Sequence, residues 1–184
     1  MLTRTDGENY VEVATMGHEG MLGIALLLGT DTMPHRAYCQ IPGDCLVLGA
    51  EDFRSALNGN GAFFATLQRY LQTLMVQLAQ GGACNSRHSV EQRCARWLLM
   101  SRDRVDSDEF PLTQEFLCQM LGVRRATVSE IASKFQKAGY IEYSRGLIRI
   151  KDRHGLTSAA CECYRVLREE YNRLLLPREE QHQV

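Results

Sequence analysis

The chain has 184 residues, 45% of them hydrophobic and 23% charged, with a formal net charge of −1. That length suits one domain or two small ones joined by a helix, and the composition excludes bulk disorder, collagen and a coiled-coil rod. The longest clearly apolar run, Ile24 to Leu28, is far below the ~20 residues of a bilayer span, and residues 1–20 carry Asp6, Glu8, Glu12 and Glu19 against Arg4 with no apolar leader.

A cytoplasmic protein with no membrane partner is expected. The charge is unevenly spread. Residues 1–86 carry four Lys/Arg against eight Asp/Glu, residues 87–153 thirteen against nine, and residues 154–184 four against five. A basic middle-to-late segment in a mildly acidic chain fits contact with nucleic acid. The seven cysteines (39, 45, 84, 94, 118, 161 and 163) are scattered and contain no C-x-x-C pair. They read as buried thiols, not a disulfide framework. Cys161 and Cys163, two apart, would not face each other on a helix, so no metal site is expected there.

From Glu8 to Leu48 short apolar runs alternate with turn signals. They include Val11, Val13 and Met16, then glycines at 17, 20, 23 and 29, then Arg36–Ile41, Pro42-Gly43-Asp44 and Cys45–Leu48. This predicts a β-sandwich or barrel. The segment is too short to close eight strands, so the barrel is partial. Residues 51–57 read as a short helix, and Ala62 to Gln80 as a long one. Its apolar residues Phe64, Leu67, Leu71, Leu74 and Leu78 are spaced 3, 4, 3, 4, a heptad seam that predicts a dimer interface. Gly81 to Ser89 reads as a hinge.

Ser89 is a plausible N-cap for a helix through Arg102, with Glu91 and Gln92 in its first turn. An acidic loop, Asp103 to Glu109, and Pro111 follow. Thr113 can cap a helix reaching Gln119 or Met120, and Leu121-Gly122-Val123 forms a tight turn. A second helix from Arg124 to Ala138 carries Val128, Ile131, Ala132 and Phe135 on one face. Two β-prone runs around Ser144-Arg145-Gly146 then predict a hairpin. Helix, turn, helix and hairpin is the order of a winged helix.

A recognition helix enters the major groove by its N-terminal residues. Arg125 is therefore placed for a bidentate guanine contact, Glu130 can accept from cytosine N4, and Ala126 can touch a thymine methyl. Arg124 sits beside them, and Ser133 and Lys137 share the outward face. Thr127, Ser129, Lys134 and the wing residue Arg145 are candidates for phosphate contacts.

The runs Leu112–Ser129 (LTQEFLCQMLGVRRATVS) and Ala138–Gly146 (AGYIEYSRG) resemble the Crp/Fnr family of bacterial transcription regulators. Cys84–Leu99 (CNSRHSVEQRCARWLL) resembles one branch of that family, and Val11–Gly23 (VEVATMGHEGMLG) the middle of its sensory barrel. The likeness covers most of the chain and is most specific from Cys84 to Asp152. It implies an α+β chain: a partial, jelly-roll-like cyclic-nucleotide-binding β domain over 1–58, a dimerisation helix and hinge over 59–86, a winged helix-turn-helix over 87–153, and a C-terminal helix and tail over 154–184. The implied function is a homodimeric regulator that reads a palindromic site on double-stranded DNA, responds to a signal at its N-terminal domain, and has RNA polymerase as a further partner.

The match begins part-way into the barrel, so a shortened sensory domain is expected. Gly23-Ile24-Ala25 stands where the family has Gly-Glu-Leu, and His35-Arg36-Ala37 where it has an Arg-Ser or Arg-Thr pair. Gly23, His35 and Arg36 are the candidate ligand cradle, yet Ile24 cannot accept a hydrogen bond from a ribose hydroxyl. Cyclic nucleotide is therefore not expected. The cysteine placement does not match the cluster-binding branch, and the dispersed histidines (18, 35, 88, 154 and 182) give no reason to expect haem or metal. Arg125 aligns with the family's base-reading arginine, whereas Ala126 replaces a frequent Glu and Glu130 a frequent Arg, which implies a different target. No catalytic set is visible, so no enzyme is expected. The other readings are a sensor or interaction module that uses the winged helix for protein contact, and a truncated, inactive regulator.

Overall fold

Helix caps and apolar periodicity set most of the architecture. In the computed structural model, which describes residues 1–4, 10–105 and 107–176, two short strands lead the chain: β1 (Leu2–Arg4) and β2 (Tyr10–Glu12). They pair antiparallel, Leu2 opposite Glu12, and Leu2 makes one further bridge to Arg36. The only other regular element before residue 50 among the described residues is a 3₁₀ turn at Ile24–Leu26. The partial barrel is thus reduced to a two-stranded ribbon. The expected runs at Arg36–Ile41 and Cys45–Leu48 form no strand, and Leu46, Val47 and Leu48 are exposed. A strand needs a partner along its length, and two strands make a marginal sheet. The expected β region around Glu8 and the tail beyond residue 176 lie outside the described residues.

The short helix α1 (Ala50–Gly59) buries Phe53 edge-on against Phe63. The long helix α2 (Gly61–Arg87) is capped by Asn60, whose side chain accepts from the Phe63 amide at 3.1 Å. It does not stop at Gln80. It runs through Gly81 and Gly82 to Arg87, so the expected hinge narrows to His88-Ser89. Each glycine costs roughly 1 kcal/mol against alanine in a helix, a cost that tertiary packing can offset. Here Cys84 beyond the glycines is fully buried, and the C-terminal helix packs along α2.

A new helix, α3 (Val90–Arg102), starts at Ser89 with a capping box. The Ser89 hydroxyl accepts from the Gln92 amide, and the Gln92 side chain accepts from the Ser89 amide at 3.0 Å. After it comes a strand where a loop was expected, β3 (Glu109–Pro111). Phe110 is buried and pairs with Ile148, and Pro111 sits at the strand's end, on an edge where its missing N–H removes no ladder bond. Then follow α4 (Gln114–Leu121), α5 (Arg125–Lys137), β4 (Ile141–Ser144), β5 (Leu147–Ile150), α6 (Arg153–Ala159) and α7 (Cys163–Leu175). The sheet order is β3-β5-β4, antiparallel throughout.

One core unites Trp97, Leu98 and Leu99 of α3 with Phe110, Leu117, Leu121, Val128, Ile131, Phe135, Ile141, Ile148 and Leu156. The N-terminal segment docks on this body through polar anchors. The Trp97 indole donates to Glu12 at 3.0 Å, and Thr15 donates to the same carboxylate at 2.6 Å. Burial pushes the Glu12 carboxyl up from its ordinary range, against the pull of these two donors. Arg104 pairs with the buried Glu19 at 2.7 Å. At the far side, Asp103 accepts from Arg153 and from the Tyr164 hydroxyl, both at 2.8 Å, joining α3, α6 and α7.

Candidate nucleic-acid interface

The helix pair α4–α5 is built by local signals. Thr113 caps α4 by accepting from the Phe116 amide at 3.1 Å. Gly122 ends it at φ 66, in the left-handed region that costs other residues roughly 1–2 kcal/mol, and Val123 donates back to the Cys118 carbonyl at 3.0 Å. Arg93 of α3 reaches the Leu121 carbonyl at 2.6 Å and so ties the end of α4 to the body.

On α5, Val128, Ile131, Ala132 and Phe135 are buried, and Phe135 is only 1% exposed. That stripe dictates what the opposite side presents. Arg124, Arg125, Ala126, Glu130, Lys134 and Lys137 are exposed, and Thr127, Ser129 and Ser133 are half-buried. Arg124 is the N-cap residue, and its side chain makes no capping hydrogen bond. Two arginines thus sit at the positive end of the helix dipole, an arrangement that is locally unfavourable and that an anion would relieve.

The candidate contacts are not equally free. Ser129 donates to Gln114 at 2.9 Å, which locks α4 on α5, and Lys134 is paired with Glu91 of α3 at 2.6 Å. Among the described residues, Arg124, Arg125, Lys137 and Arg145 make no ion pair. Other basic residues nearby are neutralised within the sheet, Arg149 by Glu109 and Lys151 by Glu142. Ser129, Glu130, Ser133, Lys134 and Lys137 line a shallow, open depression along α5.

The wing turns through two residues with positive φ, Arg145 (53°) and Gly146 (77°), the dihedral signature of a type I′ hairpin. Glycine adopts this freely, whereas the arginine is strained. The Gly146 carbonyl accepts from the Leu112 amide at 2.8 Å, which sets the wing tip beside the start of α4.

The seam expected on α2 divides between two faces. Leu67 and Leu74 are buried within the chain, in line with Tyr70 and Gln77. Phe64 and Leu78 are exposed, and Leu71 lies between. Met75, which the 3-4 spacing had passed over, is 57% exposed on the same outer side. In the candidate cradle, Gly23 (φ 89) opens the 3₁₀ turn and Ile24 is buried. Arg36 instead lies over the Tyr10 ring, 4.7 Å from its centre. Among the described residues no hydrogen bond joins Gly23 to His35 or Arg36.

A second cluster was missed in the sequence. The thiols of Cys84, Cys161 and Cys163 and a ring nitrogen of His88 all lie within 4.8 Å of one another. The i, i+2 argument against Cys161 and Cys163 does not apply, because Cys161 precedes α7 and lies in the α6–α7 turn. Cys84 and His88 are separated by one helical turn at the end of α2, a spacing that was available as a signal. Burial and the neighbouring Cys84 thiol push the Cys161 thiol up to about 12.

Residues 92–159 match the model of the Crp-like helix-turn-helix domain. The CooA double mutant from Carboxydothermus hydrogenoformans is similar at 22% identity with a TM-score of 0.50, over 59% of this chain and 53% of that one. A structure described as a Crp/Fnr-family transcriptional regulator from Eubacterium rectale is 23% identical with a TM-score of 0.46, over 60% and 51%. The chain thus spans about half the length of these structures, and the likeness to the CooA structure shows a shared fold. No curated protein matches the chain. No helix among the described residues is long and apolar enough to cross a membrane.

Arg145 is strained by its positive φ. Asparagine tolerates the left-handed region better, so Arg145→Asn should stabilise the protein by about 0.5–1 kcal/mol in denaturant unfolding. A loss of stability would contradict the strain assigned to the wing.

Proposed function

We propose that the chain is a sequence-specific, dimeric DNA-binding transcription regulator of the Crp/Fnr type, a binding protein rather than an enzyme, acting in the cytoplasm. The observation that carries this reading is the N-terminal end of α5, where Arg124 and Arg125 are exposed and without an ion-pair partner among the described residues. A helix held by one buried face and led by unneutralised arginines suits entry into the major groove. Arg125 then reads guanine through O6 and N7, Ala126 meets a thymine methyl, and Glu130 accepts from cytosine N4. Arg124, Thr127, Ser133, Lys137 and Arg145 contact phosphates or flank them, and Lys134 joins them on release from Glu91. Ser129 acts indirectly, by holding Gln114.

Two copies pair through the outer stripe of α2, formed by Phe64, Leu71, Met75 and Leu78, while Leu67 and Leu74 brace the helix inside each chain. The two recognition helices then meet half-sites about one turn, roughly 34 Å, apart on a palindromic site. A signal at the N-terminal segment acts through its anchors on α3 and the turn just after it, Glu12–Trp97 and Glu19–Arg104. RNA polymerase is the further partner this reading calls for.

Binding to duplex DNA should weaken log-linearly with salt as counterions are released. On a selected site Arg125→Ala should cost about 1–3 kcal/mol and relax one base position. Fluorescence anisotropy checks both. Salt-independent binding, or an unchanged base preference, would reject the assignment. Met75→Asp combined with Leu78→Asp should give monomers in sedimentation velocity, because two charges in an apolar seam prevent its burial. Persisting dimers would place the interface elsewhere.

A further inference from the structure

Three buried thiols and one imidazole converge at the junction of α2 with the α6–α7 turn, although Cys84 and Cys161 are 77 residues apart in sequence. The Sγ atoms of Cys84 and Cys161 are 3.5 Å apart, and the Sγ of Cys163 is 3.5 Å from Nδ1 of His88. A tetrahedral zinc ion with bonds of about 2.3 Å to sulfur and 2.0 Å to nitrogen needs donor atoms roughly 3.5–3.8 Å apart. The observed spread, with every donor within 4.8 Å of the rest, is close to that tetrahedron. We propose that Cys84, His88, Cys161 and Cys163 form a structural zinc site.

The surroundings fit an ion as well as the donors do. Glu162 holds the far ring nitrogen of His88, with Nε2 3.1 Å from its carboxylate, which leaves Nδ1 for the metal. This is the carboxylate–histidine–metal arrangement that orients a ligand ring. The Gln80 amide donates to the Cys163 sulfur at 3.1 Å. Arg93 and Arg96 both interact electrostatically with Cys84, and each carries a buried Nε–H with no hydrogen-bond partner among the described residues. Their two positive charges more than offset the single negative charge of one Zn²⁺ held by three thiolates and a neutral imidazole. On binding, the three thiols release their protons to water, and His88 donates its Nδ1 lone pair. The compact donor set suits a single ion, since a cluster places iron and sulfide between its ligands and spreads them. Three sulfurs and one nitrogen select zinc over the hard cations that oxygen donors hold.

The site lies beside His88-Ser89, the break between α2 and α3, and ties the last turn of α2 to the α6–α7 corner. The ion therefore fixes how the long helix leaves the Crp-like domain.

The test is metal content of the purified full chain, read without DNA and so independent of the DNA-binding proposal. Mass spectrometry of the metal should find about one zinc per chain. Cys161→Ser with Cys163→Ser should lose it, and Cys39→Ser, on an exposed loop, should keep it. Because the double variant can fail to fold, the reduced, metal-free wild-type chain is also titrated with Co²⁺. A thiolate-to-cobalt charge-transfer band and the intense visible bands of tetrahedral cobalt are expected, and both should disappear on adding Zn²⁺. Zinc retained undiminished by the double variant overturns the site, as does a weak octahedral cobalt spectrum. So does a Cys84–Cys161 disulfide in place of metal.

Discussion

Burial of one narrow stripe on α5 organises the rest of the molecule. Val128, Ile131 and Phe135 enter the core shared by α3, α4 and the three-stranded sheet, with Ala132 buried on the same face, and this fixes the rotation of the helix about its axis. Removing Phe135 from such a core would cost about 3–5 kcal/mol, far more than any single surface charge contributes. The apolar side therefore decides, and the charged side follows. Arg124 and Arg125 stand at the exposed end because the core holds the residues one helical turn further on. Charges that would be costly at a helix N-terminus are tolerated there because packing elsewhere supports the helix.

The helix α2 meets two demands with two faces. Its inner face, Leu67, Tyr70, Leu74, Gln77 and Cys84, holds the N-terminal segment and α7. Its outer face keeps Phe64, Met75 and Leu78 at the surface. One apolar repeat thus serves the fold of a single chain on one face and leaves an apolar stripe exposed on the other. The break at His88-Ser89, closed by a capping box on one side and bordered by the Cys/His cluster on the other, is the point where the long helix joins the helix-turn-helix body.

What could be read in the amino-acid order follows the range of the forces. Ser89, Thr113, Gly122 and the Arg145-Gly146 turn act within a few residues, and their caps and turns stand where the sequence puts them. The α5 stripe was equally legible, since helical period alone defines it. Pairings that span the chain were not. Strand β3 exists because β5 offers it an edge, and nothing in Glu109-Phe110-Pro111 announces that. The continuation of α2 through Gly81-Gly82 depends on packing that local propensity does not contain, and the metal-competent cluster on a turn near residue 161. In the N-terminal segment a short strand formed at Tyr10–Glu12, but its residues are uniformly half-buried and it pairs with β1 in a two-stranded ribbon.

The proposed function requires α5 to present a basic, sequence-reading end to duplex DNA in two symmetric copies. Selection of bound sequences from a random duplex pool tests this most directly. An enriched palindrome whose half-sites are centred one helical turn apart is the expected result. Failure to enrich any motif, or enrichment of a single unpaired half-site, would contradict it.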